Sequence, residues 1–111
     1  MPVVANPHFT ITLREAPPGV LRVCLAGDFD MSVGGALADA LVEAARRPGV
    51  AQVVVDLAAT QFIDSHAVAG LVAGFEAAAA LGRGFTVVNG HGLVQQVLDI
   101  TGLSEVLCDR S

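Results

Sequence analysis

The chain contains no tryptophan, no tyrosine and no lysine. Aromatic residues make up 5% of a composition that is 53% hydrophobic, so the core has to be built from Val, Leu, Ile and Ala. Without lysine, the six cationic side chains are all arginines, scattered along the chain with Arg46-Arg47 the one adjacent pair. That pair reads as a helix ending, where cations offset the partial negative charge of the last carbonyls. The formal charge of −5 and a pI near 4.8 exclude a nucleic-acid surface, because phosphate-backbone binding needs clustered Lys and Arg to displace counterions. No apolar run reaches the ~18 residues of a membrane span, since Glu76 and Arg83 interrupt the Ala-rich stretch, and no membrane insertion is expected. Residues Met1 to Asn6 lack the charged and apolar regions of a secretory signal, so a cytoplasmic location is expected. Cysteine is scarce too. Cys24 and Cys108 lie in apolar runs and are expected as buried thiols, with a disulfide between them as the alternative.

Catalytic and cofactor signatures are also missing. His8, His66 and His91 lack the i, i+4 or Cys-paired spacing of metal ligands. Neither Gly82-Arg83-Gly84 nor Gly90-His91-Gly92 completes a nucleotide fingerprint. Asp64-Ser65-His66 contains the residue types of a triad, but consecutive residues at a helix start point about 100° apart and do not converge. No enzyme activity, metal or cofactor is expected.

What is present is an alternation of strands and helices within one domain's length of 111 residues. Residues Phe9–Glu15 alternate apolar and polar, Pro17-Pro18-Gly19 makes a turn, and Val20–Ala26 runs back as a hairpin. Gly27-Asp28-Phe29-Asp30 breaks the second strand, and a helix follows from Met31 to Arg47, stopped by Pro48-Gly49. Ala51–Leu57 is a nearly continuous apolar strand. A short polar loop then leads to a second helix, Ser65–Leu81, with Val68, Leu71, Val72 and Phe75 on one face and the small residues Ala69, Gly70, Ala73 and Gly74 allowing close backbone approach. Phe85–Val88 is a strand and Leu93–Thr101 a third helix, with Leu93, Val94, Val97 and Leu98 inward and Gly102 in the left-handed C-terminal position. Val106-Leu107-Cys108 reads either as an edge strand or as a helical turn. The predicted fold is a single α/β domain over 9–109, after a lead-in over 1–8. Its mixed sheet has four to five strands, an antiparallel leading hairpin beside parallel strands, packed with three to four helices.

Ser65 is the leading candidate for function. It stands where the loop meets the apolar helix, a natural capping position and also a place where a phosphate can be put on or read out. Unpaired N–H groups at that helix start would partly accommodate a phosphoryl group, which adds roughly −1.5 to −2 charge beside Asp64. Asp64 is either a loop carboxylate or a cap. Asp28 and Asp30 are either turn residues or partner contacts, and His66 is a solvated first-turn residue.

Three blocks resemble the STAS domain of bacterial anti-sigma factor antagonists, over nearly the whole chain from Phe9 to Asp109. Gly27-Asp28-Phe29-Asp30 is similar to the family's Gly-acidic-apolar-Asp turn, and Asp56-Leu57 through Phe62-Ile63-Asp64-Ser65 to its phosphorylation loop. Leu98-Asp99-Ile100-Thr101-Gly102-Leu103 is similar to its helix-ending phrase. The resemblance implies a switch. An anti-sigma factor serine kinase phosphorylates Ser65, the unphosphorylated form binds that kinase and frees a sigma factor, and a serine phosphatase resets the system. Asp28, Asp30, Asp64, Ser65 and His66 would form the partner-binding surface. The alternative within the family is an unphosphorylated scaffold subunit of a signalling assembly or a cytoplasmic partner of a transporter. Homodimer formation through an edge strand stays open. The chain departs from the family where Ser or Thr and then Gly-Leu-Gly usually follow the acceptor. Here His66-Ala67-Val68-Ala69 stands instead, and each Gly-to-Ala exchange raises helix propensity by up to ~1 kcal/mol.

Overall fold

The structure, a computed structural model, describes residues 3–5, 9–15, 18–29 and 35–107. Asp30, Met31 to Gly34 and Cys108 therefore lie outside the described residues. The chain order is β1 (Val3–Ala5), β2 (Phe9–Glu15), β3 (Val20–Phe29), α1 (Ala36–Arg46), β4 (Gln52–Ile63), α2 (Ser65–Ala80), β5 (Gly84–Val88), α3 (Gly92–Ile100) and α4 (Ser104–Leu107). The five strands lie in sequence order across one sheet. β1–β2 and β2–β3 pair antiparallel, while the crossovers through α1 and α2 make β3–β4 and β4–β5 parallel. Val3–Ala5, assigned by sequence to a lead-in, thus adds an edge strand.

Strand alternation puts Ile11, Leu13, Leu21, Val23, Leu25, Val53, Val55, Leu57, Phe85 and Val87 on one face. They share a single core with Leu37 and Leu41 of α1, Leu71 of α2, Val94 and Leu98 of α3 and Leu107 of α4. The other face presents half-buried Thr12, Arg22, Cys24, Val54, Asp56, Thr86 and Val88, and none of the described helices covers it. Cys24 therefore carries a free thiol on this open face, half-buried where the sequence pointed to a buried one.

Four further expectations change. β3 does not break at Gly27 but runs to Phe29, with Gly27 at φ +99° in the left-handed region that glycine tolerates. β4 does not end at Leu57: the stretch read as a polar loop is strand as far as Ile63, interrupted by two bulges. Cys24 pairs with Asp56 but Ala26 with Ala59, and Gly27 pairs with Thr60 but Asp28 with Phe62, so each step leaves one extra residue on β4. The inward positions are consequently Leu57, Thr60 and Ile63, three apart rather than two. The first bulge leaves Leu25 without a β4 partner, and the fully buried Thr60 hydroxyl donates to the Leu25 carbonyl at 2.8 Å. On α2 the buried stripe is Ala67, Gly70, Leu71, Gly74 and Ala78, with Val68 and Phe75 half-buried beside it. A side chain larger than hydrogen at Gly70 or Gly74 would meet α1, which is why the two helices pack so closely. On α3, Leu93 is 60% exposed, because the helix begins at Gly92 and turns Val94 and Leu98 inward instead. The C-terminal segment resolves to the helical turn α4.

The amino-terminal end of the parallel strands collects cations. Arg46 closes the last turn of α1, Arg47 is its C-cap, and the Arg83 guanidinium donates to the carbonyls of Ala45 at 2.8 Å and Arg47 at 2.7 Å.

Candidate functional site

At the carboxyl ends of β3 and β4, where open α/β sheets expose their ligand-facing loops, the chain brings together Asp28, Phe62, Asp64, Ser65 and His66. Phe29 is fully buried, its ring centroid 4.9 Å from that of Phe9, and this anchor turns the preceding Asp28 to the surface. Asp28 pairs across the sheet with Phe62, which stays 39% exposed, and Phe29 pairs with Ile63. The backbone N–H of Asp64 donates to the Phe29 carbonyl at 3.1 Å, which fixes the point where strand gives way to helix.

The cap of α2 is Asp64, not Ser65. Its Oδ1 accepts from the backbone N–H of His66 at 2.9 Å and of Ala67 at 3.1 Å, while its backbone is extended at φ −117° and ψ −170°. Ser65 is the first helical residue. It is exposed, and its hydroxyl makes no hydrogen bond with any described residue. His66 is exposed as expected, whereas Ala67 is buried against the core. Two of the N–H donors that a phosphoryl group on Ser65 was expected to use are thus held by the Asp64 carboxylate. Asp30, the remaining residue of the expected surface, lies outside the described residues.

Behind this edge a polar network ties the strands together. Asp56 Oδ2 accepts from Arg22 Nη2 at 2.7 Å and Nε at 3.2 Å, and its Oδ1 accepts from the Ala58 N–H at 2.9 Å and from Asn89 Nδ2 at 3.0 Å. Partial burial pushes the Asp56 pKa up, but the Ala58, Asn89 and Arg22 donors outweigh it and hold the carboxyl below its ordinary value. Arg22 is raised in turn, chiefly by its hydrogen bond to Asp56. Asn89 sits at φ 63°, a left-handed conformation that Asn adopts more readily than most residues. The adjacent His91 ring Nε2 lies 3.0 Å from the Ala58 carbonyl. The carbonyl can only accept, so this nitrogen carries the proton. The first β4 bulge is therefore clasped from the β5–α3 loop. Among the described residues, no group of three or more His, Cys, Asp or Glu side chains is placed to hold a metal ion. No described helix is long and apolar enough to cross a membrane.

Sequence reasoning missed Phe62, Thr60, Asn89 and the linking role of Asp56. A signal for Phe62 was available: once Ile63 is taken as core, its neighbour in an extended strand must point outward.

A family model described as "Mlab, STAS domain" matches residues 10–108. The chain belongs to the STAS domain family. Among solved structures, the STAS fold here is similar to an anti-sigma factor antagonist from Mycobacterium paratuberculosis at 26% identity and a TM-score of 0.80, covering 94% of this chain and 87% of that one. It is similar to the anti-sigma factor antagonist SpoIIAA in its unphosphorylated form at 17% identity and a TM-score of 0.77, covering 91% and 88%. A sulfate transporter family protein from Wolinella succinogenes shares the fold at 19% identity and a TM-score of 0.69, covering 85% and 75%. No curated protein sequence matches.

Proposed function

We propose that this STAS domain is an anti-sigma factor antagonist. Its unphosphorylated form docks on an anti-sigma factor kinase through Asp28, Asp64, Ser65 and His66, with Asp30 as a further contact, and a sigma factor is released. Phosphorylation moves the γ-phosphoryl group of a nucleoside triphosphate onto Ser65 Oγ, with loss of the hydroxyl proton and departure of the diphosphate. The docking surface then gains about −1.5 to −2 charge beside two carboxylates, and a partner shaped for a neutral hydroxyl is repelled. A serine phosphatase restores the first state. The domain acts by binding, not by catalysis.

The supporting observation is the Ser65 hydroxyl itself, exposed at the tip of the sheet and making no hydrogen bond with any described residue. The likeness to the Mycobacterium antagonist over most of both chains agrees with it. The test incubates the protein with ATP and anti-sigma kinases encoded in the same genome and maps modification by mass spectrometry. One phosphate at Ser65, absent from Ser65→Ala, is expected, together with weaker kinase binding by the phosphorylated form. Equal affinity of both forms would refute the switch.

A second reading follows from the transporter-family fold match. In it the same surface docks permanently on a transporter or a signalling scaffold. It gains if no kinase modifies Ser65 while such an assembly copurifies with the chain.

A further inference from the structure

The usual expectation for a phosphate at the start of a helix is that it settles on the free N–H groups of the first turn. Here the His66 and Ala67 N–H groups already donate to Asp64 Oδ1, at 2.9 and 3.1 Å, in an ordinary capping geometry. Ser65 stands one residue further on, exposed and outside that arrangement. To seat itself on the His66 and Ala67 N–H groups, a phosphoryl group on its Oγ would have to displace a carboxylate from two hydrogen bonds, exchanging one anion for another. We infer that Asp64 is a positioning residue that bars phosphoserine 65 from folding onto its own helix and holds it outward, as an exposed dianion offered to docking partner and phosphatase alike. This deepens the proposed function and rests on Ser65 being the acceptor.

The inference is tested without a kinase, so that failure to find one leaves the result intact. Phosphoserine is installed at position 65 by genetic-code expansion, and its second ionisation is followed by ³¹P NMR. A free phosphoserine in a peptide loses its second proton near pH ~6. Beside a carboxylate that keeps its place, the value rises, and one full charge at neighbouring-residue range in a solvent-like dielectric accounts for about half a unit. Seated on the helix N–H groups, the phosphate would ionise more easily and the value would fall. Among the described residues, the ionisable side chains at this end of the sheet are Asp28 on β3, the exposed Asp39 in the first turn of α1, and Asp64 and His66 at the α2 start, while His91 is turned to the Ala58 carbonyl. The informative variant is Asp64→Asn, which removes the charge and retains the cap, since Asn caps as well as Asp. Asp28, Asp39 and His66 are unchanged in it. The expected result is a second pKa above that of a phosphoserine peptide, lowered in Asp64→Asn, with the His66 and Ala67 amide resonances little altered by phosphorylation of the parent chain. A value at or below that of the peptide, or any value that Asp64→Asn fails to lower, overturns the inference.

Discussion

Asp64 has two tasks at one position, closing the first turn of α2 and setting the charge next to Ser65, and substitutions separate them. Asp64→Ala removes the acceptor for the His66 and Ala67 N–H groups and is expected to cost about 1 kcal/mol. In a chain of this size that is a fall of about 4 °C in the melting temperature followed by circular dichroism. Asp64→Asn is expected to melt within about a degree of the parent. Ser65→Ala should also be nearly neutral, because its hydroxyl bonds to nothing described. A loss from Ser65→Ala comparable to that from Asp64→Ala would return the cap to Ser65. At this scale the sequence was half legible. A strand followed by an acid, a serine and an apolar helix marked the site, but Asp and Ser are equally good caps, and adjacent candidates cannot be ranked without the backbone. Thr60 and Asn89 were not legible at all. Their importance arises from a bulge and a left-handed loop residue, neither of which has a fixed spacing in the sequence.

The two crossover helices meet through glycine. A Cβ at Gly74 would lie 2.8 Å from Leu41 Cβ and 2.9 Å from Phe85 Cε2, so Gly74→Ala is expected to destabilise by about 1–3 kcal/mol despite a helix-propensity gain of up to ~1 kcal/mol. At Gly70 the nearest atoms are Ala38 N at 3.2 Å and Leu37 Cγ at 3.3 Å, a tight fit that the same propensity gain offsets. Urea denaturation midpoints should therefore drop clearly for Gly74→Ala and stay close to the parent for Gly70→Ala. The small-residue pattern of α2 was legible, whereas its large apolar residues misled. Val68 and Phe75 look like the centre of a buried face, yet the close approach of α1 shifts that centre to Ala67, Gly70 and Gly74. β4 was legible only as far as Leu57, because the period of two on which strand reading depends is broken twice beyond it.

Across the whole molecule, the charge is unevenly placed: Arg46, Arg47 and Arg83 gather where the parallel strands begin, and Asp28 and Asp64 where they end. Asp56 links β3, β4 and the β5–α3 loop between these poles, and it ties stability to pH. Its folded pKa lies below the model-compound value of 3.8, so its contribution is complete above that value and is lost as pH falls through the lower, folded one. Asp56→Asn keeps an acceptor for Ala58 and Asn89 but gives up the charge opposite the partly exposed Arg22, an expected cost of about 1 kcal/mol at neutral pH. Urea midpoints measured from pH 6 down to pH 3 should fall less steeply for Asp56→Asn than for the parent, and parallel curves would contradict this account. The topology was the most legible level. One hairpin and two strand–helix–strand units leave few ways to order a sheet, and the antiparallel and parallel pairings follow directly.

The paired bulges of β4 also bear on how this region can change length over time. Each bulge holds one more residue on β4 than its β3 partner requires, so a codon lost from either would restore the period of two there and leave Ile63 and the start of α2 facing as they do. A codon lost from the regular stretch before Leu57 meets no such slack and would turn the residues on one side of it to the opposite face. Homologous genes should therefore vary in length at the bulges, by one residue or two, and not in the strand that precedes them.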